Sequence, residues 1–191
     1  MKNSFLFVLL LIASTMHAQD TTHSNKLQYF GLHQVSLMAG SSSEKMTVLT
    51  TNGIRKGNWY GGMSTGIDWY GIRSFPLLAG IYKAFGQSRH QPFIYGNAGI
   101  EFPWMEDYDV RFRFGSNTYD YRNGFSTEGG VGYFINLKNK TALALSAGFS
   151  YKQMGMKETI TQVGVDPFFD TNIYNYKFYY RRIAIRIGIK I

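Results

Sequence analysis

Residues 181 to 191 read RRIAIRIGIKI and place Ile183, Ile185, Ile187, Ile189 and Ile191 in one alternating register. Ala184, Arg186, Gly188 and Lys190 fill the other. Successive side chains of a β-strand point to opposite faces. The segment therefore has one greasy, β-branched face and one face of small residues and cations. A helical period of 3.6 would scatter the isoleucines around the circumference. The pattern predicts a strand and raises the question of what each face meets.

The same period recurs along the chain. In TALALSAGFSY, Thr141, Leu143, Leu145, Ala147, Phe149 and Tyr151 oppose Ala142, Ala144, Ser146, Gly148 and Ser150. In FSTEGGVGYFI, Phe125, Val131, Tyr133 and Ile135 oppose Ser126, Glu128, Gly130 and Gly132. In WYGGMSTGIDWY, Trp59, Met63, Ile67 and Trp69 oppose Gly62, Ser64, Gly66 and Asp68. A soluble barrel buries its large apolar residues and shows polar ones outside. Here the less apolar face is mostly Gly, Ala and Ser, which suits the crowded interior of a narrow barrel, and the large apolar face then points outward, where only lipid tolerates it. Segments of about ten alternating residues of this kind characterise outer-membrane barrels, whose closure satisfies every backbone group in hydrocarbon.

The expected fold is all-β: a closed antiparallel up-and-down transmembrane β-barrel of eight strands. They are expected at about 28–40, 45–52, 58–70, 76–85, 92–102, 123–136, 141–154 and 175–191. Tight turns are expected at 137–141, at 86–91 and at 51–57, where Asn52-Gly53 is a strong hairpin signal. The long connections 103–122 and 155–174 would be extracellular loops opposite short periplasmic turns. The first strand and the one opening at Pro76 show no clean alternation. The last strand changes phase, because Tyr176, Phe178 and Tyr180 share a register with Arg182 and Arg186. Either a bulge near Arg181 restores it, or the strand projects beyond the membrane there.

Residues 1–19 have Lys2, an apolar run from Phe5 to Ala13 and small or polar residues up to Ala18, the layout of a secretory signal peptide. The run is too short to span a bilayer as a helix. Residues 20–191 would then form the barrel domain. With no cysteine, the chain has no disulfide, no thiol chemistry and no lipid-modified cysteine after the signal. The formal charge of +8 comes from cations scattered over strands and loops rather than clustered as in nucleic-acid binders. Contact with lipopolysaccharide or lipid headgroups is the more natural reading, beside that of a solvated surface.

The stretch WYGGMSTGIDWYGIRSFPLLAGIYKAFG, with QPFIYGNAGIEF after it, resembles small outer-membrane β-barrel families of Bacteroidota, OmpX/OmpA-like in architecture and mostly uncharacterised. Pro76, Leu77 and Leu78 carry the likeness, which covers about 59–102. It implies a small barrel and brings no catalytic motif. The terminal Ile191 departs from the Phe with which many such proteins end.

On this assignment Asp68, Glu101, Glu128, Arg182, Arg186 and Lys190 form a charge network in the lumen. An eight-stranded interior is just filled by side chains, so such a network would plug it. Ile183, Ile185, Ile187, Ile189, Leu143, Leu145 and Phe149 would face lipid. Arg111 and Arg113, with aromatics between them, are candidate loop contacts. His33 and Ser36 lie three apart, hence on opposite faces of a strand, and make no catalytic pair. Neither a cofactor nor a metal site is expected; Glu106, Asp107 and Asp109 read as a solvated acidic loop. The expected function is structural or adhesive, through the extracellular loops of a monomer. Its partners would be outer-membrane lipid, lipopolysaccharide and the barrel-assembly machinery. A lipid- or lipopolysaccharide-modifying barrel enzyme and a soluble lipocalin-like carrier remain as alternatives.

Overall fold

In the computed structural model, residues 26–40, 44–86, 89–104, 108–112, 115–137, 141–163 and 169–191 are described. The strands are β1 (Gln28–Gly40), β2 (Lys45–Lys56), β3 (Trp59–Asp68), β4 (Ser74–Ala84), β5 (His90–Pro103), β6 (Tyr108–Phe112), β7 (Gly115–Asn136), β8 (Ala142–Val163) and β9 (Phe169–Lys190). Every strand except β6 pairs antiparallel with two ring neighbours, and the ring β1-β2-β3-β4-β5-β7-β8-β9 closes where β9 returns to β1. Chain neighbours are ring neighbours, so this is the eight-stranded up-and-down barrel that the alternation predicts. Strand β6 stands outside the ring as a hairpin on the far end of β7, pairing Tyr108 with Tyr119 and Phe112 with Gly115.

The terminal rim carries the start of β1, the end of β9, and the turns β2-β3, β4-β5 and β7-β8. On the far rim, Gly40, Asp68, Ser74 and Glu101 mark where the ring stops. Strands β7, β8 and β9 continue past it. β8 and β9 keep an unbroken register from Ala142 paired with Lys190 to Val163 paired with Phe169. At about 3.3 Å per residue, the ten or so extra residues of each strand raise a sheet roughly 30 Å beyond the ring. The phase change near Arg181 therefore reflects a strand that projects, with no bulge in the β8-β9 ladder.

Three expectations are corrected. Most of 103–122 and 155–174 is strand, because Tyr, Thr and Ile favour extended backbone even where neither face is greasy. Asn52 and Gly53 lie inside β2, opposite Met63 and Gly62, and the hairpin turns instead at Gly57 and Asn58, where Gly57 has φ of 58°. A side chain at position 53 would run into the Gly61 backbone, so that glycine serves close strand packing. β1 does alternate, with Phe30, Leu32, Gln34, Ser36 and Met38 buried and Val35 and Leu37 exposed. β4 alternates as well, Leu77 and Ile81 exposed against buried Leu78 and Tyr82. Residues 1–19 lie outside the described residues.

Candidate functional site

The lumen is filled in two layers of different chemistry. Toward the terminal rim, Phe30, Tyr60, Tyr82, Phe93 and Phe134 interlock, with Ala84, Ala142 and Ala144 packed among them. Phe93 and Phe134 stack with centroids 4.1 Å apart, and Phe30 meets Tyr60 at 4.9 Å. Each such contact contributes about 0.5–1.5 kcal/mol beyond its buried area. Phe93 and Tyr95 lie over the neighbouring strands β7 and β8 because the positions beside them carry no side chain: one at Gly132 would strike Phe93, and one at Gly130 or Gly148 would strike Tyr95. Lys190 is 5% exposed, with its Nζ 4.4 Å from the Phe134 centroid and 5.4 Å from that of Tyr60. Among the described residues no carboxylate pairs with it, and the electron-rich ring faces attract the ammonium through their quadrupoles.

The upper layer is ionic. Arg186 donates to Glu128, whose other oxygen accepts from Tyr95 Oη at 2.7 Å. Nearer the far rim, Arg182 Nη1 bonds Asp68 Oδ2 at 2.6 Å, and its Nη2 donates to Ser150 Oγ at 2.7 Å. Lys152 Nζ reaches the same Asp68 oxygen at 3.1 Å, Ser74 Oγ at 2.7 Å and the carbonyls of Tyr70 and Ile72 at 3.2 and 2.8 Å. Ser74 in turn donates to Glu101 at 2.6 Å, and Glu101 lies 4.0 Å from Lys152. Two carboxylates and two cations thus share one buried cluster. Charges out of water are tolerable only when paired and hydrogen-bonded in this way. Lys152 was missed by the sequence reading, although it continues the register of Ser146, Gly148 and Ser150 by one more step.

Outside the ring, Ile183, Ile185, Ile187 and Ile189 are each more than half exposed, as is Phe149; Leu145 is exposed too, and Leu143 is intermediate. Val35, Leu37, Met63, Leu77, Ile81, Ile94, Ile100 and Val131 continue this apolar wall around the barrel. On β9 the stripe stops at Ile183 and gives way to Arg181, Tyr179 and Lys177. Tyr151 and Tyr179 stack just there.

Above the far rim the register of β7 against β8 shifts between Arg122 and Phe125. The shift changes parity: below it Ser126 and Glu128 face inward, whereas above it Tyr121 stands opposite Met156, and Tyr119 opposite Glu158. The face continuous with the lumen therefore carries Tyr119, Tyr121, Met156, Tyr174, Tyr176 and Phe178. Tyr176, Phe178 and Tyr180 stack in succession with centroids 6.4 Å apart, and Tyr180 meets Tyr70 edge-on above Arg182. Glu158 binds Asn117 Nδ2 and Tyr176 Oη, and its carboxylate pushes that phenol above its ordinary pKa. Arg111 pairs through its backbone with Ser116, but its side chain, like all of Arg113, lies outside the described residues, as do Glu106, Asp107 and the Asp109 side chain.

His33 bonds Thr50 on the outer wall, while Ser36 is buried in the lumen and donates to the Thr47 carbonyl. They stand on opposite faces. Among the described residues no three His, Cys, Asp or Glu side chains group as metal ligands would.

No family model matches the chain, and no curated protein matches it. Among solved structures, the solid-state NMR structure of outer membrane protein AlkL in DMPC lipid bilayers is similar, with a TM-score of 0.51 over 91% of this chain and 93% of that one. At 9% identity the likeness is one of fold.

Proposed function

We propose that this chain is an integral outer-membrane barrel with a closed lumen, and that it works through the sheet that β6–β9 raise above the far rim. The observation that carries the reading is the inverted distribution of side chains. Large apolar residues line the outside of the ring, and buried ion pairs line the inside. In water that outer wall would be an exposed apolar surface far beyond what soluble monomers show. In a bilayer it matches the apolar band about 25 Å tall of such barrels. An export signal at 1–19, the Bacteroidota families that residues 59–102 resemble, and the fold shared with AlkL all fit an outer-membrane location. Lipid, lipopolysaccharide and the assembly machinery are then its partners, with one chain per barrel. The filled lumen favours a structural or adhesive role over conduction, and the separation of His33 from Ser36 disfavours a lipid-modifying enzyme.

The test is to refold residues 20–191 with and without detergent, run heated and unheated samples on SDS gels, and insert the folded protein in planar bilayers. Folding only with detergent, a heat-modifiable band and no discrete conductance steps are expected. A chain that folds in plain buffer and binds apolar dye would be a soluble carrier, and stepwise currents would make it a pore.

A further inference from the structure

On the outer wall, just above the apolar stripe, Arg122 of β7, Gly155 of β8 and Lys177 of β9 stand side by side across three strands. Paired residues share a face, and neighbouring strands lie about 4.8 Å apart. The two cations therefore straddle the glycine with their Cα atoms roughly 10 Å apart. The position between them is empty of side chain: a methyl group there would press against Arg122 Cβ at 3.3 Å. The result is a hollow of about 400 Å³ walled by Arg122, Gly124, Phe125, Gln153 and Lys177, with Gly155 as its floor. Arg181, two strand steps below Lys177, adds a third cation on the same face.

Among the described residues, no carboxylate lies within ion-pair range of Arg122, Lys177 or Arg181. Asp120 is on this face but stands beside Lys157, one step further from the barrel. Glu158 is on the other face, held by Asn117 and Tyr176. Directly beneath the hollow come Tyr179 and Tyr151, then Phe149, Ile183 and Ile185, all on the outer wall. A ligand that fits both parts has an anionic head and long apolar tails.

We propose that Arg122, Gly155 and Lys177 form a docking site for the phosphate headgroup of a membrane glycolipid of the lipid A type. Its acyl chains lie against Phe149 and the isoleucine stripe. The cations supply charge-assisted hydrogen bonds to phosphate, and the glycine leaves room for the phosphate oxygens between them. The site rests on the membrane reading above, since only a bilayer brings such a headgroup to this height.

The experiment uses the barrel in nanodiscs of zwitterionic phosphatidylcholine doped with lipid A, with retained lipid counted by native mass spectrometry. Each sample is first checked for the heat-modifiable band. Wild type should retain lipid A at least tenfold over its dephosphorylated form. The R122Q/K177Q double variant should lose that preference, and so should Gly155→Val, which fills the hollow and keeps both charges. Lys83→Gln, which removes an outer-wall cation near the opposite rim beside Trp59, should leave it intact. Equal retention of phosphorylated and dephosphorylated lipid by assembled wild type would overturn the site whatever the variants do. A chain that gives no heat-modifiable band in lipid fails the membrane reading instead.

Discussion

Asp68→Asn is the substitution that tests whether the lumen behaves as one buried ionic unit. The change is nearly isosteric. The new amide oxygen can still accept from the Tyr70 backbone N–H, which the carboxylate now binds at 2.8 Å. What is lost is one negative charge from a cluster in which Asp68 and Glu101 balance Lys152 and Arg182. Lys152 and Asp68 are both about fully buried, so solvent cannot compensate. Removing one partner of such a pair costs about 3–5 kcal/mol, which is roughly a 10²- to 10⁴-fold rise in the unfolding constant. Lys152→Met costs a similar amount, because it strips Glu101 of its cation and removes the Nζ donor that the Tyr70 and Ile72 carbonyls now bind. The double variant D68N/K152M restores neutrality, leaving Arg182 with Glu101 as the remaining charges. It should therefore be at least about 2 kcal/mol more stable than the sum of the single effects implies. Urea unfolding of the protein folded in lipid vesicles, followed by tryptophan fluorescence and by the heat-modifiable band, reads all four states. Additivity within about 0.5 kcal/mol would refute the argument, since it would mean that water reaches these groups and screens them independently.

Three further substitutions separate wall from lumen. Ile185→Arg places a cation near the middle of the apolar band and should cost about 2–4 kcal/mol in bilayers, whereas Tyr179→Arg at the band's edge should cost about 0–1 kcal/mol; equal costs would mean that this wall does not face hydrocarbon. Lys190→Met removes a buried cation that has ring faces but no carboxylate, so its stability in the same titration should stay within about 1 kcal/mol of wild type or rise. A loss as large as that for Lys152→Met would show that Lys190 is paired after all.

What the sequence revealed and what it hid follow the two layers of the lumen. Where the interior is small and polar, as opposite Ile183 to Ile189 or Leu143 to Phe149, alternation stands out and the faces are legible. Toward the terminal rim the interior is aromatic, so β1 and β4 are apolar on both sides and the period of two disappears. Phe30 and Leu32 in β1, and Leu78 and Tyr82 in β4, are the residues that mask it. Beyond the far rim both faces leave the apolar band, and the strands of the projecting sheet read as loops although Tyr, Thr and Ile were there as a signal. Asn52-Gly53 misled because a glycine needed for close packing between strands looks the same as one needed for a turn. The charges of the lumen were readable one strand at a time. Which of them meet depends on closure, and closure brings Lys152 to Asp68 across 84 residues of chain.

The bulge between Arg122 and Phe125 divides the chain into parts that tolerate change differently. Below it, every residue of β7, β8 and β9 is bound to one side or the other of a wall, and a single insertion would turn charges toward the outer face and isoleucines toward ion pairs. Above it, the parity of β7 has already been reset, and on the membrane reading both faces meet headgroups or water, so adding or removing a matched pair of residues in β8 and β9 only changes how far the sheet reaches. On the membrane reading, the ring can stay constant while the sheet beyond the far rim is shortened or lengthened.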